Sequence, residues 1–428
     1  MKHKTPNSSR RNFLKVSAGT AASVAAFAAM NAHAAGDETI RIGLIGCGGR
    51  GTGAAGNALN ADSNLKLVAM GDAFPDRLQA SLETLRADET IRSKIEVKPD
   101  YCFTGFDAYK QVLASPVDLV ILATPPHFRP MHFKAAIDAG KHTFVEKPVA
   151  VDAPGIRSVL QTAAEAKKKN LAVVSGLCYR YENAKRETMK RVHEGAIGDI
   201  VALHTNYNMG GLWVKPRQAH WSDMEWQMRN WLYFTWLSGD HIVEQHVHSL
   251  DKMAWAMKDE YPLRAYGMGG RQSRIGPEYG HIFDHHAVVF EFSKGIKLFS
   301  YCRQQDGTAN DVNDYIMGTK GTCDVQKHSI KGETNWRHAA PTAAKDDMYL
   351  NEHIELFASL RAGKPINNGE YMCKSSLMAI LGRMATYTGK VITWEQALNS
   401  KEDLSPAKYD LGPLPLPPIA RPGRTKFV

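Results

Sequence analysis

The run TIRIGLIGCGGRGTGAAGNAL at residues 39–59 restricts the fold of this chain more than any other stretch. Its first third is short, apolar and β-branched, as a buried strand is, and Ala54–Leu59 opens a helix. Between them Gly46, Gly48 and Gly51 form a G-x-G-x-x-G array, with Gly49 and Arg50 inside it. Glycines alone mark a turn, but a strand before them and a helix after them make a phosphate-binding turn, because free N–H groups at a helix start attract anions. Gly46 permits the tight turn, Gly48 lets the backbone approach a pyrophosphate, and Gly51 allows close packing of helix on strand. A second apolar run, LKLVAMGD, ends at Asp72, whose carboxylate can accept ribose hydroxyls and repels a 2′-phosphate. NAD is therefore favoured, while Arg50 and Arg77 keep NADP open.

The alternation continues with helices near 76–87, 130–139 and 153–169 and strands at 117–124, 142–148 and 171–177. This rhythm predicts an α/β, doubly wound parallel sheet over residues 38–177. Ligands lie at the carboxyl ends of such strands. There stand Thr124, Pro125 and His127 of ATPPHF and Glu146, Lys147 and Pro148 of EKP.

In this order and spacing, ahead of a larger C-terminal half, the glycine turn, ATPPHF and EKP resemble the Gfo/Idh/MocA oxidoreductases, named for glucose-fructose oxidoreductase and inositol dehydrogenase. The resemblance spans roughly residues 40–390. It implies a Rossmann domain followed by an α+β domain, residues 178–405, whose open and mostly antiparallel sheet carries the substrate site and makes oligomer contacts, as a dimer or tetramer. Lys147 would lie beside nicotinamide and substrate and stabilise a developing alkoxide, with Glu146 orienting it. GDHIVEQHVHSLDKMAW at 239–255 lies on the family's D-x-G-x-H segment, with Glu244, His246 and His248 at those positions and Asp251 completing it. Glu replaces the usual Asp and His246 the usual Gly. The i, i+4 spacing predicts Glu244 and His248 on one helical face. His248 is the expected general base, since an imidazole near pKa 6.5 is mostly neutral yet able to accept a proton.

Tyr179, Arg180 and Tyr181, leaving the last Rossmann strand, are expected to contact a sugar, and NYNMGGLWVKPR at 206–217 to cap it. His281, Asp284, His285 and His286 would reach it from the sheet edge. H-x-x-E-x-H at 241–246 has neither H-E-x-x-H nor H-x-x-E-H spacing, so no metal is expected; Glu244 would be its carboxylate if one were bound. The proline-rich tail from 406 to 428 is expected to extend over a neighbouring subunit.

SRRNFLK at 9–15, the small apolar run to Met30 and AHA at 32–34 form a twin-arginine export signal with a peptidase site, so the mature chain would begin near Ala35. Removing this segment's five basic residues lowers the formal charge from +9 to +4. No basic run with interleaved aromatics remains, which argues against nucleic acid as a partner. The six cysteines contain no C-x-x-C pair and are expected to be free thiols. Together these features predict an exported, periplasmic oxidoreductase acting on a sugar, cyclitol or glycoside hydroxyl. Passage through the twin-arginine machinery in folded form would let it carry a tightly held nicotinamide out of the cytoplasm. Two alternatives stand beside it: glycoside hydrolysis or lysis by transient oxidation of the sugar ring, and noncatalytic sugar binding.

Overall fold

The structure, a computed structural model, describes residues 38–339 and 346–428. The export signal lies outside the described residues. No helix among those described is long and apolar enough to cross a membrane.

Six parallel strands form the first sheet: β1 (Ile40–Ile45), β2 (Leu65–Asp72), β3 (Cys102–Thr104), β4 (Leu119–Leu122), β5 (His142–Val145) and β6 (Val173–Ser175). Their order is β3-β2-β1-β4-β5-β6. Strands covered on both faces read as continuous apolar runs, and β4 is buried at all four positions. The order reverses between β1 and β4, so the crevice at their carboxyl ends is the expected ligand site. The sequence pattern missed β3, whose Cys-Phe-Thr is too short to show a period.

The second sheet contains β7 (Ile200–Met209), β8 (Arg264–Gly270), β9 (His285–Glu291), β10 (Lys297–Gln304), β11 (Asp311–Gly318), β12 (Gly321–Asp324), β13 (Ser329–Gly332), β14 (Trp336–Arg337) and β15 (Ile392–Thr393). Its order is β14-β13-β12-β11-β7-β10-β9-β8-β15, and only the β7–β10 pair is parallel. Along β10 the residues alternate, with Leu298, Ser300 and Cys302 buried and Phe299 and Tyr301 exposed, so one face is covered by helices and the other is open.

The two halves interlock. Helix Met348–Arg361 packs back on helix Gly49–Ala61 of the first half. Beyond it, Ile366 and Asn368 hydrogen-bond to the backbone of Val173 on β6. The six cysteines are free thiols, all but Cys102 buried.

Candidate active site

The glycine turn is fixed by contacts that exclude side chains. Gly46 has φ +99°, and a Cβ there would lie 2.5 Å from the Thr124 nitrogen. A Cβ on Gly51 would sit 1.9 Å from the Gly46 carbonyl oxygen. Gly48 and Gly49 instead face open space, with nothing within 4 Å of a built Cβ. They start helix Gly49–Ala61, which has no side-chain cap and no acid in its first turn. Its leading N–H groups are thus left for an anionic ligand, and the helix dipole favours one. These glycines line a cleft of about 470 Å³ together with Asp72, Thr124, Pro125, Glu146, Lys147 and Glu244. This is where a dinucleotide fits: bare backbone for the pyrophosphate and a carboxylate at the end of β2.

Asp72 accepts N–H groups from Cys47 (2.7 Å) and Phe74 (2.9 Å). Burial raises its pKa, and those two bonds act against the rise. Arg50 turns away from the ribose end. Its guanidinium pairs with Glu146 and, at 2.8 Å, with Glu352, and lies 4.7 Å from the Tyr349 ring centre. Burial works against its charge, but the two carboxylates more than offset that. Arg50 is therefore committed, and Arg77 is the cation that acts on Asp72 within the cleft.

Lys147 joins the two halves at the other end. Its Nζ donates to the Glu244 carbonyl oxygen (2.7 Å) and to Glu244 Oε1 (3.0 Å). Arg129, only 4% exposed, donates to the Pro148 carbonyl at 2.9 Å and supports the EKP loop from below. Burial pulls the Arg129 pKa down to about 10.

His248 sits edge-on to Tyr179, with ring centres 5.2 Å apart, and its Nδ1 is buried without a hydrogen bond. Burial first, then the charges of Lys147 and Lys252, push its pKa well below the usual value, so the ring is neutral. Glu244 and His248 do not share one helical face. Helix His241–Glu244 ends there, and a new helix, Val247–Ala256, begins after a break at Gln245. The extra hydrogen-bonding demand of His246 accompanies that break: fully buried, its Nε2 bonds with Ser300 Oγ at 2.7 Å rather than facing the cleft.

Other expected contacts lie elsewhere. Arg180 is occupied by Asp251 and Asp259 at 2.6–3.1 Å and covered by Tyr371 at 4.0 Å. Tyr181 is 3% exposed and donates to Asn368 at 2.7 Å. His285 pairs with Asp284 at 2.8 Å. Asp284 accepts backbone N–H groups from Gln272, Ser273 and Arg274, so it organises a turn. His127 does not line the cleft and bonds with the Tyr409 hydroxyl at 2.8 Å. Thr124 stays at the cleft, its Oγ1 3.3 Å from His132 Nδ1. In these cases a polar residue near the right motif is taken up by partners that sequence spacing does not reveal.

Comparison with known proteins agrees with this geometry. Residues 40–174 match the GFO_IDH_MocA model, described as an oxidoreductase family with an NAD-binding Rossmann fold. The domain belongs to the Gfo/Idh/MocA family. The 2,7-anhydro-N-acetylneuraminate hydratase of Escherichia coli (strain K12) is 28% identical over 218 residues, 50% of this chain and 53% of that protein. A glycosyl hydrolase family 109 protein of Shewanella sp. (strain ANA-3) is 28% identical over 239 residues, 51% of this chain and 47% of its own. The chain thus spans about half the length of these two relatives. The structure of scyllo-inositol dehydrogenase from Lactobacillus casei with NAD(H) and scyllo-inositol shares the fold at TM-score 0.62 and 18% identity, covering 84% of this chain and all of that one.

The cleft also has a roof. Trp213, Lys215, Met228, Arg229 and Trp231 line it from the second half. Arg229 forms a two-pronged ion pair with Asp76 (2.9 and 3.0 Å) and lies 4.0 Å from the centre of the Phe74 ring. The tail braces the roof on its own chain: Gln227 donates to the Leu414 carbonyl at 2.7 Å, and the Leu414 N–H to Asp223 at 3.1 Å. The Gly-Gly and Trp213 of NYNMGGLWVKPR signalled part of this cap. Nothing local to Arg229 did.

Proposed function

We propose that this chain is an exported NAD-dependent oxidoreductase that moves hydride between a sugar, cyclitol or glycoside hydroxyl and a nicotinamide held through turnover. The observation that carries this reading is the placement of Lys147 Nζ, anchored on Glu244, in the same cleft as the bare glycine backbone. When bound, the nicotinamide supplies the hydride acceptor. The Lys147 ammonium faces the site where alkoxide charge develops, and Glu244 fixes its direction. In this reading His248, beside Tyr179 at the edge of the residues that line the cleft, takes the hydroxyl proton once bound substrate counters the burial and cationic charges that lower its basicity. Asp72 favours NAD by accepting the ribose hydroxyls.

The roof and its tail brace support tight retention, because a dinucleotide leaving the cleft must part Arg229 from Asp76. An enzyme that keeps its cofactor returns it to the oxidised state with a second carbonyl substrate or an electron acceptor. The open sheet face supports a homo-oligomer: Met268, Phe299 and Tyr301 are exposed on strands β8 and β10, an apolar face that suits a second copy. The Arg10-Arg11 pair supports twin-arginine export, and replacing both by Lys should leave the precursor in the cytoplasm.

Denaturing the purified protein and identifying the released dinucleotide tests the proposal directly. NAD should appear, and candidate polyols added to intact protein should raise absorbance at the reduced-nicotinamide band without added cofactor. Protein that carries no dinucleotide and binds none would overturn it. The relatives named as family 109 glycosyl hydrolases favour a second reading, redox-neutral cleavage. Nitrophenol released from nitrophenyl glycosides without an acceptor would support that one.

A further inference from the structure

We propose that Asp240, His241 and His286 form a buried three-ligand binding site for a divalent zinc-like ion, outside the cleft. None of the three lines the cleft. Asp240 precedes helix His241–Glu244, and His286 comes from β9, so the site would tie the segment carrying Glu244 to the second sheet. The donor atoms of the three residues lie within 4.8 Å of one another. Asp240 Oδ1 is 2.8 Å from His241 Nδ1 and 3.3 Å from His286 Nε2. A tetrahedral zinc ion with bonds of about 2.0–2.1 Å spaces its ligands about 3.3 Å apart, so small side-chain shifts would admit it.

The nitrogen that faces the carboxylate has no other use. His286 is 2% exposed, and its Nε2 makes no hydrogen bond. Its Nδ1 bonds with Thr386 Oγ1 at 2.9 Å, the kind of outer contact that orients a ligating imidazole. Asp240 is arranged in the same way. Its Oδ2 accepts the Tyr387 hydroxyl (2.5 Å) and the Phe283 N–H (2.9 Å), while Oδ1 accepts the His241 N–H (2.5 Å) and faces the two rings. The carboxylate is fully buried, and among the described residues it pairs with no Lys or Arg. A buried anion of this kind calls for a compensating cation. Asp240 also keeps φ 78° and ψ 160°, a backbone region that disfavours side chains and persists where surrounding contacts demand it. Adjacent residues 240 and 241 with a third ligand on a distant strand make no linear motif, which is why spacing gave no metal signal.

The competing account is a proton-only network in which both imidazoles donate to Asp240. Elemental analysis of the mature protein, purified without chelators, separates the two. The metal reading expects about one equivalent of zinc or a similar ion per chain, falling to trace in His286→Ala and Asp240→Asn. If those variants fail to fold, wild-type protein stripped with a chelator and titrated with cobalt(II) should develop visible ligand-field bands that zinc abolishes. Trace metal together with no cobalt bands would overturn the site, as would full metal content in a folded His286→Ala. NAD content and polyol oxidation are read separately, so failure here leaves the proposed activity standing.

Discussion

The floor of the cleft is the glycine turn, where Gly46, Gly48 and Gly49 offer bare backbone, whereas its roof is side chains from residues 213–231 reaching over from the other half of the chain. The floor rests on contacts that cannot yield: a Cβ at Gly51 meets a carbonyl oxygen 1.9 Å away, with no flexible atom to move. The roof is held by groups that can part. Asp76 is 60% exposed, and exposed pairs of this kind contribute about 0–1 kcal/mol. The difference assigns separate jobs, the floor deciding whether a dinucleotide binds and the roof how long it stays.

The largest effect should come from Gly51→Val. The added atoms push β1 and helix Gly49–Ala61 apart, so purified protein should release no dinucleotide on denaturation and show no oxidation of any polyol. Retention of cofactor in that variant would mean the floor is not set by backbone contact. Lys147→Ala should come next. Removing a positioned charge at a developing oxyanion costs about 10²–10³-fold in rate, here with cofactor content unchanged. Loss of cofactor as well would turn Lys147 from a reaction residue into part of the floor.

Arg229→Ala tests the roof. The ion pair with Asp76 and the stack on Phe74 together are worth about 1–2 kcal/mol, so dissociation of the dinucleotide should quicken about tenfold. Trapping the released cofactor with a second dehydrogenase would time it. An unchanged off-rate would show that the roof does not gate release, and the floor alone would then account for retention.

The same contrast explains what the sequence disclosed. The glycine turn, Asp72 and EKP were legible because local chain chemistry dictates them: a φ of +99° at Gly46 demands glycine, and parallel strands demand apolar runs. The fates of Arg180, His246 and His285 were not legible. Each is decided by partners 1 to 79 positions away, and only for His285 is the partner adjacent. Even there, the three backbone N–H groups that immobilise Asp284 come from a turn ahead of it in the chain, residues 272–274. The roof was half legible, since Trp213 sits in a Gly-rich loop but Arg229 reads as an ordinary helical arginine.

The smallest expected effect at neutral pH belongs to His353, which lies beneath the floor on the helix whose Glu352 holds Arg50. Its ring stacks 4.3 Å from Phe144, it is fully buried, and neither ring nitrogen has a hydrogen bond. Burial, then the Arg50 charge, presses its pKa down to about 3. Below about pH 6.5 the unfolded chain protonates this histidine while the folded chain does not, so its contribution is complete above that pH and is lost as pH falls toward 3, at about 1.4 kcal/mol per pH unit. His353→Leu should therefore change stability by no more than about 1 kcal/mol at pH 7.5, in the stabilising direction, yet exceed the wild type by about 2 kcal/mol at pH 5. His127, under the tail brace, is lowered to about 4 by its burial and gives the wild type a second acid-sensitive point. Urea unfolding at the two pH values, with cofactor release followed alongside, then shows which side yields first. If the leucine variant still loses its dinucleotide at the wild-type pH, the roof opens before the floor. If release shifts to lower pH, the two come apart together.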